Sequence, residues 1–492
     1  MGFKVDSSFL RFLTMGALGS QRVMEIMRKA GLQPIELERY SSSNKIWITK
    51  VKRLRLPDLL CVRTGLRVEV RAKSVLAIRM SDSPTNPARR WCAGLRPQDL
   101  IAFVACTDSQ GVPTPAQTAE FFWVRHIASA EAASKLGPPK SASEGAERDR
   151  EWRTIRPKNG GVVLEVGPEQ LKVQTSAGRR QTYRLNGLHA YVTVGHGFVP
   201  HSEFLAGLPR RKALLSEVHG RTWNPRSEVT GDAVDRYVAA KALGVVGSDA
   251  DLRILRRLTQ DEDSRVALEA AGSLAKLGDH GGLSMLAQAV ISPPEPHLRM
   301  EAVFLLSELG SCDLRGAAVD ALLAVARNQS LAGNEVRQAA IWGLGRAGLL
   351  AHHRLIEFLD APDPDERIHA LVAFGPDLSD DVTRTVIRIL VSEESAQKKA
   401  AACHVLSALT ACEYAIHQLV PIALSESRAA AAWAKAALGS LSPDATARLI
   451  RDQQLAESLA PMQLLAPSNN WTKSEAAHDA ISFVSKQGVC LG

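Results

Sequence analysis

The chain has 492 residues, 45% of them apolar, which is too long for one ordinary core and typical of globular proteins, so two to four domains are expected. It has no run of 18 apolar residues, and Asp6, Ser7 and Ser8 break up the apolar character of the N-terminus, so neither a membrane span nor a secretory signal is expected and the cytoplasm is the expected location. Its 60 Lys and Arg against 52 Asp and Glu give a net charge of +8, and its seven scattered cysteines form no CxxC pair, which argues against a disulfide framework or a zinc site.

The charge is uneven. Residues 1–150 hold 24 Lys and Arg against 14 Asp and Glu, a balance of +10. Residues 151–220 hold 10 against 5, and the remainder 26 against 33, a balance of −7. A basic front half on an acidic back half points to a polyanionic partner for the front.

In chain order, residues 19–30 (GSQRVMEIMRKA) predict a helix that buries Val23, Ile26 and Met27 and ends at Gly31. PIELERY and KIWITK follow as strand candidates. KRLRLPDLLCV then runs through a turn at Thr64–Gly65 into LRVEVRAKSVLAI. The tight turn sets Asp58 beside Glu69, and strand alternation sets Glu69, Arg71 and Lys73 on one face. Two carboxylates and cations in one cleft are what metal-assisted phosphodiester cleavage requires. Lys50, Lys52, Arg53 and Arg55 lead into the strand carrying Asp58 and suit phosphate contact. The segment after Lys73, residues 74–95, is polar, with Arg89 and Arg90 available for phosphates and Trp91 for base stacking; the alternative is a surface loop with Trp91 packed on the domain. GLRPQDLIAFVACTD predicts a short helix and a strand.

The Pro57-Asp58 and Glu69-Val70-Arg71 segments, in this helix–strand order, resemble the PD-(D/E)XK nuclease core over roughly residues 15–130. The resemblance implies a restriction-endonuclease-like α/β domain and a Mg²⁺ or Mn²⁺ ion held by Asp58, Glu69 and the carbonyl of Val70. Glu25 matches the acidic helix residue that some branches of the family use. The family's usual lysine, two residues after the acid, is Arg71 here. Arg71 can bind phosphate but cannot act as a general base, and Lys73 is the candidate displaced lysine. The implied substrate is nucleic acid, DNA favoured, and an oligomer is compatible with the family.

Residues 131–150 read as a linker by composition. Residues 151–205 predict four short strands with Gly-bearing turns, a small antiparallel β unit whose turn carries Arg179 and Arg180. His189, His196, His201 and the pair His352–His353 fit no metal motif and are expected to be ordinary polar residues. No Walker A loop, GxSxG elbow or HExxH is present.

From residue 231 onward a basic residue followed by apolar and small residues recurs at Arg236, Arg265, Arg299, Arg337, Arg367, Lys399 and Arg428, with gaps of 29, 34, 38, 30, 32 and 29 residues. That period is one helix pair per repeat. The units resemble short HEAT repeats, with Asp261–Arg265 and Asp363–Arg367 fitting the pattern best. The resemblance implies an all-α solenoid over 206–492, arginines laddered between repeats, a cap formed by 446–492, and protein partners on the solenoid. The expected whole is a metal-dependent nuclease joined to a partner- or substrate-binding solenoid, an arrangement similar to anti-phage effectors. The alternative is an inactive nucleic-acid-binding adaptor that recruits proteins through its repeats.

Overall fold

A computed structural model describes residues 7–37, 47, 49, 54–109, 112–140, 147–292, 295–331 and 334–441. They divide into two compact units. One runs through Ala239, and the other holds Ala240 onward together with Trp47 and Thr49.

The first unit opens with helix α1 (Ser7–Lys29), which starts earlier than the sequence predicts and stops where Gly31 takes φ 75°. Strands β1 (Pro34–Glu36), β2 (Leu59–Cys61) and β3 (Arg67–Lys73) form an antiparallel meander. The chain then passes through β4 (Ile78–Asp82) to β5 (Leu100–Ser109), which runs parallel to β3 with Val68 beside Leu100. Strands β6 (Val112–Pro115) and β7 (Glu120–Trp123) both pair antiparallel with β5, and a short helix α2 (Val124–Ser129) follows.

Alternation along β3 sorts its side chains. Val68, Val70 and Ala72 face α1 and pack with Met15, Val23 and Met27. A Cβ at Gly19 would lie 2.7 Å from that of Ala72, so α1 reaches the sheet only because this residue is glycine. Glu69, Arg71 and Lys73 point to the other face.

Two composition-based readings are corrected. Residues 74–95 are not a plain loop. They contain β4, whose Ile78 and Met80 are buried with Trp91 in a second core. Residues 131–150 are not a linker. They supply β8 (Lys135–Pro139) and most of β9 (Arg148–Trp152), in a sheet of order β4-β9-β8. The polar residues of these strands are half-buried or exposed, and one apolar side chain anchors them: Trp152 is fully buried and donates its indole N–H to the Ile127 carbonyl at 3.1 Å. The polar majority hides this single anchor from a compositional reading.

The expected β unit is present. It comprises β10 (Thr154–Ile155), β11 (Gly161–Val166), β12 (Gln170–Thr175), β13 (Arg180–Arg184), β14 (His189–Ala190), β15 (Gly197–Phe198) and β16 (Ala206–Gly207). These form two antiparallel sheets of orders β13-β12-β11-β15 and β10-β16-β14 over one core containing Val163, Leu171, Val173 and Leu205. Beyond it, Ala213 and Val218 pack into the α1 core, so the repeats begin at Ala233 and not at 206.

The helices from there follow in chain order as α3 (Ala233–Val246) and α4 (Leu252–Leu258), α5 (Ser264–Lys276) packed on α6 (His280–Ile291), and α7 (Pro296–Ser307) packed on α8 (Arg315–Arg327). Then come α9 (Glu335–Arg346) packed on α10 (Leu349–Leu355), followed in chain order by α11 (Pro364–Ala373), α12 (Asp380–Val391), α13 (Ala396–Ser407), α14 (Glu413–Ala423) and α15 (Arg428–Ser440). Each recurring basic residue falls within the first four positions of the first helix of a pair. Side-chain caps at Asp263, Asn334, Asp363 and Ser395 start these helices, and Gly278, Gly348 and Gly375, all at positive φ, end them.

The arginines form a ladder only in part. Arg337 meets Glu366 of the next repeat at 3.2 Å, with both side chains buried. Arg265 pairs with its own helix cap Asp263, and Arg367 donates to the Ala361 carbonyl in the preceding turn at 2.5 Å. Arg299 donates to the Val290 carbonyl at the end of α6. The expected cap at 446–492 lies outside the described residues. No described helix is long and apolar enough to cross a membrane.

Candidate functional site

β2 and β3 bring the two expected carboxylates together. Leu59 pairs with Val68 and Leu60 with Arg67, so one step outward sets Asp58 opposite Glu69. Asp58 precedes β2, and its Oδ2 accepts the Val70 N–H at 2.6 Å, completing the ladder where the strand has ended. Glu69 is buried, and its Oε1 meets Arg71 Nη2 at 2.7 Å.

Glu69 and Arg71 open onto a cleft of about 570 Å³, whose wall also includes Arg55, Arg89, Arg90, Trp91 and Glu147. Four arginines against two glutamates leave these side chains with a balance of +2. The cations are held in position. Arg89 meets Glu147 at 2.9 Å, and Arg90 meets Glu131 at 2.5 Å and the fully buried Asp82 at 3.4 Å. Arg55 is exposed at the rim.

Other expected site residues fall elsewhere. Trp91 is only 3% exposed; it packs edge-on against Trp152 at 5.2 Å and donates its indole N–H to Glu131 at 3.0 Å. That corrects its expected stacking role: it is a core residue that shapes the cleft wall and has no ring face to offer a base. Lys73 lies beyond the cleft lining. Its amine is lowered to about 8, first by burial, then by Arg71 and Arg79. Glu25 sits on α1, paired with Arg22 at 2.7 Å, and α1 covers the sheet face opposite Glu69, so the structure does not bring it to the pair. Lys50, Lys52 and Arg53 lie outside the described residues.

Sequence reasoning missed the buried ion pair beneath the site. Arg67 of β3 and Asp99, just before β5, make a two-pronged pair at 3.0 and 2.6 Å, and the side chains are 5% and 3% exposed. Asp99 also accepts the Arg96 N–H at 2.7 Å. Asp99 stands next to the first β5 residue in a polar run, and nothing local in the sequence announces its partner 32 residues earlier.

The donors fit a small divalent cation in kind. Two adjacent carboxylates and a backbone carbonyl are hard oxygen ligands, and Mg²⁺ takes few protein carboxylates and keeps its waters. Among the described residues no group of three His, Cys, Asp or Glu could hold a metal by itself, so the pair would depend on the Val70 carbonyl and on water.

Residues 228–307 match the family model described as HEAT repeats. The C-terminal region therefore carries HEAT repeats, a helical scaffold of the kind that offers an extended binding surface. Several solved structures overlap the chain. The complex of CpcE and CpcF of phycocyanin lyase from Nostoc sp. PCC7120 is 20% identical over 49% of this chain and 97% of that one, with TM-score 0.25. Human deoxyhypusine hydroxylase is 18% identical over 53% and 93%, with TM-score 0.21. A HEAT-like repeats protein from the archaeon Thermococcus onnurineus NA1 is 19% identical over 47% and 97%, with TM-score 0.24. No curated protein matches the chain.

Proposed function

We propose that the first unit is a metal-dependent nuclease domain, DNA being the favoured substrate, and that the HEAT array recruits its protein partners. The observation that carries this reading is the Asp58–Glu69 pair set across the β2–β3 ladder, with Glu69 lining an arginine-walled cleft. The order of a helix, three strands and a further strand β5 beside β3 supports it, while β4 and a 3-10 turn stand between β3 and β5 where a helix was expected.

Each residue then has a role. Asp58 and Glu69, with the carbonyl of Val70, would hold Mg²⁺ or Mn²⁺. Such an ion, when bound, acidifies a water and stabilises charge on phosphate oxygens. Arg71 orients the Glu69 carboxylate through their 2.7 Å ion pair and presents a permanent cation to the scissile phosphate. Arg55, Arg89 and Arg90 bind the flanking backbone, with Glu147, Glu131 and Asp82 fixing the last two.

A second reading, binding without cleavage, is favoured by one observation: both carboxylates already hold internal partners, the Val70 N–H for Asp58 and Arg71 for Glu69. Both readings require a polyanion in the cleft, and this is tested by binding of labelled duplex DNA across a salt series. Arg55→Ala and Arg89→Ala are each expected to weaken binding on any sequence and to flatten the slope of log affinity against log salt by ~0.9. A slope unchanged in both variants removes the cleft from nucleic-acid recognition. Loss of cleavage on chelation, with binding kept, separates the nuclease from the adaptor.

A further inference from the structure

Trp47 lies in KIWITK, a segment that the sequence offers as a strand of the first unit. Yet it is only 4% exposed and belongs to the helical unit. Its ring stacks on His369 with centroids 4.5 Å apart and planes at 24°, and it meets Phe304 at 6.4 Å. Phe304 is in turn held edge-on by Trp342 at 5.9 Å. Two residues on, the Thr49 N–H donates to Glu335 Oε2 at 2.7 Å. His369, Glu335 and Phe304 stand on α11, α9 and α7, the first helices of three successive repeats.

A flat aromatic slot gives an aromatic side chain buried area and ring contacts, and a carboxylate placed for a main-chain N–H two residues further on fixes the segment that carries it. We propose that the His369–Phe304–Glu335 recess is a docking site for a tryptophan and the main-chain N–H two residues after it, and that its occupant is this chain's own Trp47. The docked ring latches residue 47 to the repeats, eleven positions before Asp58 (58 − 47). The latch stands whether or not the Asp58–Glu69 pair cleaves anything.

The test is limited trypsin digestion of the full chain, with cleavage at Lys45, Lys50, Lys52 and Arg53 followed by mass spectrometry. These sites lie within six residues of Trp47 in sequence (53 − 47). Removing a buried tryptophan opens the local structure, and cleavage tracks the open population. Trp47→Ala is expected to speed cleavage there by ~100-fold while the helical signal persists. Glu335→Ala, which leaves the aromatic slot in place, is expected to speed it by ~10-fold, and it decides the matter if Trp47→Ala costs the repeats their fold. Cleavage at the wild-type rate in Glu335→Ala and in a folded Trp47→Ala chain overturns the latch.

Discussion

Asp99→Ala is expected to cost the first unit ~3–5 kcal/mol of stability, read as a lower midpoint in urea unfolding, because it strands the Arg67 guanidinium. Arg67 and Asp99 are both almost fully buried and joined by two hydrogen bonds at 3.0 and 2.6 Å. In such a site the cost of desolvating two charges is met mainly by their mutual contact. Removing one partner leaves a buried cation with no counter-charge, and arginine cannot escape by losing its proton. The double replacement Arg67→Met with Asp99→Leu removes both charges together and is expected to cost far less than Asp99→Ala alone. The pair bridges β3 and β5, the parallel strands whose contact supports Glu69, so the single variant is also expected to lose any activity of the cleft. Equal destabilisation by the single and double changes would contradict this account of the pair.

The second large effect concerns Arg71. If the centre cleaves phosphodiesters, Arg71→Lys is expected to raise the rate by ~100-fold, the lower end of what a positioned proton-transfer group contributes. The guanidinium now on Glu69 is a fixed cation. A lysine at the same register keeps the charge and adds an amine able to release its proton. Lys73 is the rival for this role, with its amine already lowered to about 8 by burial and by Arg71. Its electrostatic neighbours are Arg71, which lines the cleft, then Arg79 of β4, Asp149 of β9 and Lys140, but Lys73 itself does not line the cleft. An unchanged rate in Arg71→Lys together with loss of rate in Lys73→Met would transfer the role to Lys73. The rates come from single-turnover cleavage with metal in excess.

The sequence made the β2–turn–β3 unit legible because Pro57-Asp58 and Glu69 flank one tight turn and alternation then dictates which residues share a face. The helix pairs were legible because their apolar stripes recur with a basic residue at each start. What stayed hidden depends on single anchors or distant partners. Lys135–Pro139 and Arg148–Trp152 look like linker because Trp152 alone supplies their deep burial. Trp91 beside two arginines suggested a stacking platform, but Trp152 and Glu131, both far along the chain, draw it into the core. Trp47 suggested an ordinary strand residue and belongs instead with helices more than 250 residues later. Glu25 followed a family position, and the α1–β3 packing through Val70 and Ala72 set it on the far face from Glu69.

The measurement that bears most directly on the central claim is cleavage of linear duplex DNA, single-stranded DNA and RNA by the full chain with Mg²⁺, with Mn²⁺ and with chelator, run beside Asp58→Ala and Glu69→Ala. The account predicts metal-dependent cleavage by the wild-type chain that falls by at least ~10³-fold in each variant while the fold is kept. Cleavage that survives both substitutions, or binding with no cleavage under any metal, would contradict it.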